Sequence, residues 1–243
     1  WLQKSAAAGV DGMTWHQYGE ELEPRLEDLH GRIYRNAYRA MPSRRQYIPK
    51  ADGRMRPLGI AALEDKIVQR AVVEVLNAVF ETDFLGFSYG FRPKRNQHQA
   101  LDALAVGIAR TNVSWIVDAD IKSFFDTVNH DWLIKFVEHR IGDPRIVRLI
   151  GKWLKAGTLQ EGALVASEEG TPQGGVISPL LANIYLDPLD WLMGEAGFEM
   201  ARYADDMVVM CRTQEEAQAA LEKLREWMGG AGLTLHPDKT RTV

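Results

Sequence analysis

Cysteine is almost absent from this chain of 243 residues, which contains one, Cys211. A single thiol cannot form an internal disulfide, which excludes a disulfide-stapled secreted scaffold and favours a reducing compartment. No apolar run reaches the ~18 residues of a membrane span, and no secretory signal pattern is found. The composition therefore predicts a globular protein without membrane contact. Because the chain begins at Trp1 rather than Met, we expect it to be a piece of a longer protein.

Excess positive charge is also lacking, since the net charge is −4, which argues mildly against a nucleic-acid-binding protein. The distribution of charge is more informative than its sum. Between Arg32 and Pro57 there are eight basic residues and one acid, Asp52, and a second basic cluster follows at Arg92, Lys94 and Arg95. This pattern predicts a local anion-binding surface, and the alternative is a solvated basic face on a small helix.

The stretch from Phe198 to Cys211 reads FEMARYADDMVVMC and places two adjacent carboxylates between short apolar runs. Runs of this length, rich in β-branched and aromatic residues, predict two strands joined by a tight turn. Asp205 and Asp206 then lie at the tip of a hairpin. Adjacent carboxylates repel each other, so a bound cation is one explanation for them, and a solvated acidic turn is the other.

The surrounding pattern predicts a strand at Ser114–Ile121, then helices, the hairpin, another helix and a last short strand near Leu233–Leu235. This order is typical of a split βαβ or ferredoxin-like sheet with helices on one face, in an α+β fold. Other predicted elements are a helix over Tyr18–Tyr38 kinked at Pro24, a hairpin over residues 46–60, helices over Leu63–Phe84 and Gln97–Ala109, one strand over Leu159–Ser167, and helices over Asp131–Arg140, Pro144–Ala156, Ile177–Met193 and Glu215–Trp227.

In such a sheet the end of the first strand lies beside the hairpin tip, so Asp120 is expected close to Asp205 and Asp206. Three converging carboxylates suit two Mg²⁺ ions and phosphoryl transfer, whereas a structural ion site is the alternative. Three further features of the sequence suit the binding of a nucleotide. Lys50 and Arg56 flank an Asp-Gly turn and could reach nucleotide phosphates; Phe124-Phe125 could contact a ribose; the loop Thr171–Gly175 allows close backbone approach.

Taken together, these motifs resemble the reverse transcriptases of group II introns and their bacterial relatives. The matching stretches cover nearly the whole chain and run in the family's order: Gly9–Gly12, RRQYIPKADGRMRPLGI (44–60), Glu64–Gln69, Tyr89–Pro93, DADIKSFFDTVNH (118–130), GTPQGGVISPLLANIYLDPLD (170–190), RYADD (202–206) and GLTLHPDKT (232–240).

The resemblance implies roles by position. Asp120, Asp205 and Asp206 correspond to the catalytic carboxylates that bind two Mg²⁺ ions, for which Mn²⁺ can substitute, with the Ile121 carbonyl as a further ligand. Asp118 is a weaker candidate. Lys239 corresponds to a proton donor to the pyrophosphate. The nucleotide-binding positions are Lys50, Arg56, Ile60, Phe125 and Gln173, where Phe125 favours deoxynucleotides. The basic residues expected to contact RNA are Arg44, Arg45, Arg92, Lys94 and Arg95.

The resemblance also implies a fingers domain (1–95 plus about 131–170) and a palm domain (about 96–130 plus 171–243). The thumb or maturase region and the DNA-binding and endonuclease domains are missing, so we expect weak duplex binding and poor primer extension. The implied function is RNA-directed DNA synthesis on an RNA template, from a DNA or RNA primer and deoxynucleoside triphosphates, with intron RNA as partner and a maturase role.

Alternatives remain open at this point. One is the reverse transcriptase module of a CRISPR adaptation protein. A second is an RNA-dependent RNA polymerase, since Asp120 and Asp126 have the spacing that reads a ribose 2′-hydroxyl. A third is a non-catalytic RNA-binding scaffold. A cytoplasmic location in a bacterium or organelle is expected, and a homodimer is left open.

Overall fold

The computed structural model describes residues 3–49, 53 and 55–243 of the chain. No helix among these residues is long and apolar enough to cross a membrane. The elements, in chain order, are α1 (Trp15–Gly19), α2 (Leu22–Tyr34), β1 (Ser43–Pro49), β2 (Met55–Ile60), α3 (Leu63–Phe80), α4 (Gln97–Arg110), β3 (Trp115–Asp120), α5 (Phe124–Thr127), α6 (His130–Arg140), α7 (Pro144–Lys155), β4 (Thr158–Gln160), β5 (Ala163–Val165), α8 (Ser178–Glu195), β6 (Glu199–Tyr203), β7 (Asp206–Cys211), α9 (Gln214–Gly230) and β8 (Arg241–Thr242).

The chain divides into two compact units, Trp1–Val75 with Ile141–Ser178 and Leu76–Arg140 with Pro179–Val243. Both are discontinuous in sequence, but their bounds differ from those expected for fingers and palm. Residues 76–95 and 131–140, expected with the first domain, belong to the second unit, and residues 171–178 belong to the first. Two of the unit boundaries fall inside helices, because α3 continues through residues 75–76 and α8 through residues 178–179 without interruption. These boundaries therefore do not coincide with loops between elements.

The first unit contains a sheet of strand order β2-β1-β4-β5, in which β1 pairs antiparallel with β2 and parallel with β4. Its core includes a buried polar group, because the hydroxyl of Tyr38 donates to the Asp65 carboxylate and accepts from Trp153 Nε1 at 2.8 Å. Burial raises the pKa of Asp65, and the amide of Met41 donates a hydrogen bond to it at 3.1 Å. This network ties α3 and α7 to the chain that precedes β1.

The second unit contains an antiparallel sheet of order β6-β7-β3-β8. Numbered within the unit, this order is 2-3-1-4, the order of a ferredoxin-like split βαβ sheet, so the predicted palm-type sheet is confirmed. β3 lies between two neighbours and its Val117 is completely buried. Helix α9 packs against β3 and β7, and α4 packs against β6.

Several predicted bounds were wrong. The break in the first helix lies at residues 20–21, and Pro24 falls in the first turn of α2, where its missing N–H costs nothing. The segment expected as one strand from Leu159 is a hairpin, because Glu161 and Gly162 both have positive φ and reverse the chain. Leu235 makes only an isolated bridge to Ile121, and the last strand, β8, comes six residues later.

Candidate active site

The carboxylate turn is a two-residue hairpin loop. Tyr203 pairs with Asp206 at the end of the β6–β7 ladder, so Ala204 and Asp205 form the turn and Asp206 begins β7. Ala204 has a φ of 60°, the left-handed value that a type II′ turn requires at its first central residue. The predicted hairpin with both carboxylates at its tip is confirmed. A residue other than glycine in this conformation is strained, and such strain is typical of functional sites.

A third carboxylate lies directly beside this turn. β3 pairs with β7 so that Asp120 is opposite Asp206, which places their side chains on the same face of the sheet. Partial burial raises the pKa of both Asp205 and Asp206, and repulsion from neighbouring carboxylates raises each of them further. Asp120 is one of the neighbours that repel in both cases. The expected convergence of the three acids within the second unit therefore agrees with the geometry.

Lys239 provides a positive charge at this site, since its ammonium group contacts the Asp120 carboxylate. The segment that carries it is held beside β3 by hydrogen bonds from the His236 amide to the Asp120 carbonyl at 2.7 Å and from the Lys122 amide to the Thr234 carbonyl at 2.9 Å. The hydrogen bond to Asp120 raises the pKa of Lys239. A lysine ammonium that pairs with Asp120 beside the other two acids indicates a site suited to cations.

The three carboxylates are not arranged as a set of metal ligands: within the described ranges, no three His, Cys, Asp or Glu side chains are close enough together to hold an ion. The donor chemistry nevertheless fits Mg²⁺. The acids supply hard carboxylate oxygens, and Lys239 occupies the place of a cation at Asp120. Burial raises the pKa of Asp205 and of Asp206, and the neighbouring negative charge raises both further. Asp118, two residues earlier on β3, instead pairs with Arg241 at 3.2 Å.

A buried arginine forms a hydrogen bond to the backbone of the turn and connects it to the core. Arg202 is fully buried and donates two hydrogen bonds to Asp190, at 2.7 and 2.5 Å, whose own side chain is also fully buried. It also donates to Asn183 Oδ1 at 3.1 Å and Ser88 Oγ at 2.8 Å. Its remaining bond, at 2.8 Å, goes to the carbonyl of Ala204, the strained residue of the turn. Arg202 thus links the core to the residue that precedes the Asp205-Asp206 pair.

The loop Ser88–Pro93 packs along β6 next to this network. Ser88 bridges to Arg202, and the Tyr89 amide donates to the Arg202 carbonyl at 2.9 Å. A Cβ on Gly90 would lie 2.2 Å from the Ala204 nitrogen, so only glycine allows this approach. Sequence reasoning did not assign Arg202, Asp190 or Gly90 a role. The only signal was position: an arginine that follows the apolar residues Met200 and Ala201 of β6, and a glycine in a family motif.

One RNA-binding prediction is corrected by this loop. The Arg92 side chain is only 4% exposed and pairs with Glu81 at 3.0 Å. It also donates to the carbonyls of Leu85 and Ser88 at 2.7 and 2.8 Å. The guanidinium is therefore occupied inside the protein and shapes the loop rather than contacting RNA.

An aromatic cluster lies next to the carboxylates in the second unit. Phe125, on the short helix α5, is half-buried and meets Phe91 edge-on at a centroid distance of 6.4 Å. Phe91 in turn lies 6.5 Å from the ring of Tyr203, which precedes the turn. Ser123 has a φ of 51° and turns the chain from β3 into α5. Ile121, the proposed carbonyl ligand, has a buried side chain at the end of β3.

The other nucleotide-binding candidates belong to the first unit. Arg56 is exposed on β2 opposite Ile48, and Ile60 is half-buried at the end of the same strand. The Gly59 amide donates to the carbonyl of Gln173 at 2.6 Å, which joins the 170–177 loop to β2. Gln69 Oε1 accepts from the Val176 amide at 3.0 Å and fixes the same loop. Lys50 lies outside the described residues.

The remaining basic candidates have different surroundings. Arg44 donates through two nitrogens to the Ala8 carbonyl at 3.2 and 2.9 Å, and Arg45 is half-buried on β1. Lys94 is exposed. Arg95 donates to the Gly86 carbonyl at 2.5 Å and lies over the Tyr89 ring. Exposure of Lys94 leaves it accessible to a ligand, whereas Arg44 and Arg95 each have internal partners.

Comparison with known proteins decides the family. A profile described as reverse transcriptase (RNA-dependent DNA polymerase) matches residues 48–243. The chain belongs to the reverse transcriptase family. Protein YkfC of Escherichia coli K12 is 36% identical to this reverse transcriptase, over 96% of the chain and 71% of YkfC. The group II intron-encoded protein LtrA of Lactococcus lactis subsp. cremoris is 42% identical over 69% of the chain, and the alignment covers 28% of LtrA.

A solved partial Cas6-RT-Cas1–Cas2 complex contains a chain similar to this reverse transcriptase, with a TM-score of 0.50 and 25% identity. The match covers 87% of our chain and 36% of that chain. The intron-encoded relative supports a reverse transcriptase of the intron type, as the motifs predicted. The reverse transcriptase chain spans under a third of LtrA, so the activities of such longer proteins are proposals here.

Proposed function

We propose that this chain is the polymerase core of a group II intron-type reverse transcriptase and extends a DNA or RNA primer on an RNA template with deoxynucleoside triphosphates. The observation that carries the proposal is the register of β3 and β7, which sets Asp120 opposite Asp206 and next to the Asp205 turn in a chain of this family. In this proposal the second unit is the palm, and the first unit contains the fingers.

Asp120, Asp205 and Asp206, with the Ile121 carbonyl, would hold two divalent ions, Mg²⁺ or Mn²⁺, that activate the primer hydroxyl and stabilise the leaving pyrophosphate. Lys239 pairs with Asp120 beside the turn, and its ammonium group would donate a proton to the leaving pyrophosphate. Lys50 and Arg56 bind the triphosphate. Ile60 and Gln173 pack around the nascent base pair. Phe125 excludes a ribose 2′-hydroxyl by steric contact.

The proposal is tested by incorporation of a single nucleotide at a primer end on an RNA template with Mg²⁺. We expect deoxynucleotide incorporation by the chain and its loss in Asp205→Asn. Asp102→Asn is the matched control, since Asp102 is exposed on α4 and is not among the charges that shift the pKa of Asp205 or Asp206. Preference for ribonucleotides would indicate an RNA polymerase instead and direct attention to Asp126. Absence of any incorporation by the unmodified chain would contradict the catalytic proposal and favour an RNA-binding scaffold.

A second candidate function is favoured by the similarity to the Cas6-RT-Cas1–Cas2 complex, which corresponds to a role in CRISPR adaptation. The higher identity to an intron-encoded protein favours intron RNA as the partner and a maturase role in splicing. Crosslinking of the protein to RNA in its host, followed by sequencing of the bound RNA, distinguishes the two. Recovery of intron RNA supports the first proposal, and recovery of CRISPR-derived RNA supports the second.

A further inference from the structure

A groove of about 970 Å³ in the first unit is lined by basic side chains and by no acidic one. One wall is the chain between α2 and β1, from Asn36 to Pro42, and the other is one face of α7. The basic lining residues are Arg39, Arg148, Lys152 and Lys155. In a chain with a net charge of −4, a concave surface whose charged lining residues are all positive is a local exception.

The wall formed by α7 is built by helical spacing. Arg148, Gly151, Lys152 and Lys155 follow one another at intervals of three, one and three residues, so they share a face of the helix. Gly151 leaves this face open, because a Cβ placed on it would meet no atom within 4 Å. The groove therefore has room beside Gly151, between the cationic side chains of this helix face.

The charges in this groove are at most partly neutralised by the protein: the pKa of Asp143 is lowered chiefly by its hydrogen bond from Arg145 and also by the nearby charge of Arg148. Lys152 donates to two neutral oxygens, Asn36 Oδ1 at 3.2 Å and the Tyr38 carbonyl at 2.8 Å. None of the four lining cations forms an ion pair with any acidic residue that the structure describes. On the same helix Arg145, which does not line the groove, pairs with Asp143 at 2.7 Å.

The groove is distinct from the proposed triphosphate-binding position on β2. Pro42, which lines the groove, immediately precedes β1, whereas Arg56 lies opposite Ile48 near the other end of that strand. Six residues of extended strand separate the two places by about 20 Å. A triphosphate held at Arg56 does not reach the groove.

We propose that this groove binds the phosphate backbone of RNA at a site separate from the triphosphate-binding position proposed at Arg56. The inference rests on the proposed function for its ligand, since a polymerase that copies RNA must hold it. Guanidinium and ammonium groups spread over roughly 10 Å of helix suit successive phosphates of one strand. The one aromatic side chain in the lining, Tyr38, is buried, so the contact is to the backbone and independent of sequence.

The first test compares Gly151→Glu with Gly151→Ala in the full chain, with affinity for a fluorescently labelled single-stranded RNA measured by anisotropy. Both variants replace glycine in a helix where a Cβ has room, but only one adds a negative charge to the groove. We expect about tenfold weaker binding for Gly151→Glu and unchanged binding for Gly151→Ala. Equal affinity of the two variants would overturn the proposal.

The second test measures the salt dependence of binding for Arg148→Gln and for its matched control on the same helix, Arg145→Gln. Loss of one phosphate contact lowers the slope of log affinity against log salt by about 0.7, or about fivefold in affinity at 0.1 M salt. We expect this change only for Arg148→Gln. The same change in both variants would show a general charge effect and refute a specific site.

Two further experiments complete the test. One distinguishes RNA from a small phosphate anion as the ligand, and the other distinguishes failure of the groove proposal from failure of the proposed polymerase function. Tripolyphosphate that displaces RNA as well as unlabelled RNA does, at equal phosphate concentration, would identify a small-anion site and contradict RNA binding. Asp205→Asn should keep full RNA affinity. If the unmodified chain incorporates no nucleotide while Gly151→Glu still loses RNA affinity, the proposed function fails and the groove proposal stands.

Discussion

Replacing Asp190 with asparagine is expected to destabilise the second unit strongly. The Asp190 and Arg202 side chains have no exposed surface and are joined by two hydrogen bonds. The Asp190→Asn change keeps the shape of the side chain but removes its negative charge, which leaves a guanidinium buried without a counter-charge. Breaking such a buried pair costs about 3–5 kcal/mol, a large part of the roughly 5–15 kcal/mol that stabilises a typical domain.

The assay is thermal or urea unfolding followed by tryptophan fluorescence. For a chain of this size a loss of about 3–5 kcal/mol corresponds to roughly 6–20 °C in Tm. Asp143→Asn is the matched control because it makes the same chemical change in an exposed pair with Arg145, and asparagine caps helix α7 about as well as aspartate does. We expect the control to unfold close to the unmodified chain.

An Asp190→Asn variant that unfolds no earlier than Asp143→Asn would show that the buried pair does not stabilise the unit. A second readout examines positioning rather than stability, because Arg202 also binds the Ala204 carbonyl. Arg202→Lys keeps the positive charge but loses the planar fork that reaches several acceptors at once. At a temperature where this variant is folded, we expect slower nucleotide incorporation with nearly unchanged KM for the nucleotide.

Three other predictions follow from the same unit. Asp187 has a pKa raised to about 7 by burial and by nearby Asp190, so its ionisation destabilises the fold as the pH rises from about 4 to 7. Asp187→Asn should therefore raise stability at pH 8 by about 1–2 kcal/mol, after allowance for partial exposure, and change little at about pH 4, as measured by urea unfolding. Gly90→Ala should cost about 1–3 kcal/mol in the same assay because its Cβ meets the Ala204 backbone, whereas Gly86→Ala, with no atom within 4 Å, should be tolerated. Phe125→Val should increase ribonucleotide incorporation relative to deoxynucleotide incorporation in primer extension; an unchanged ratio would exclude Phe125 as the selective residue.

Sequence was sufficient for the carboxylate hairpin because short-range patterns determine it. The apolar runs on both sides of Asp205 and Asp206 specify two strands, and the order of elements after Ser114 specifies the ferredoxin-like sheet. The hairpin at 158–165 was missed although its signal was present, since Glu161-Gly162 is a turn dipeptide.

Sequence was insufficient where a charged residue's role depends on burial. Arg92 and Lys94 look equivalent in a basic cluster, yet Arg92 is enclosed by Glu81 and two backbone carbonyls while Lys94 is exposed. The partner acid is 11 residues away and its approach depends on the tertiary path of the chain. In the same way, nothing local indicates that Arg202 pairs with Asp190, because that contact requires α8 to pack behind β6.

These buried charges explain how the chain keeps an unfavourable turn. Asp205 and Asp206 repel each other and Asp120, and Ala204 holds a left-handed conformation that alanine does not prefer. The repulsion among the carboxylates and the positive φ of Ala204 both destabilise the turn. Contacts from two other side chains offset these costs. The buried Arg202 donates a hydrogen bond to the Ala204 carbonyl, and the exposed Lys239 offsets the negative charge by pairing with Asp120. A cation that binds the three acids therefore competes with Lys239 for Asp120, while the turn itself stays anchored by Arg202.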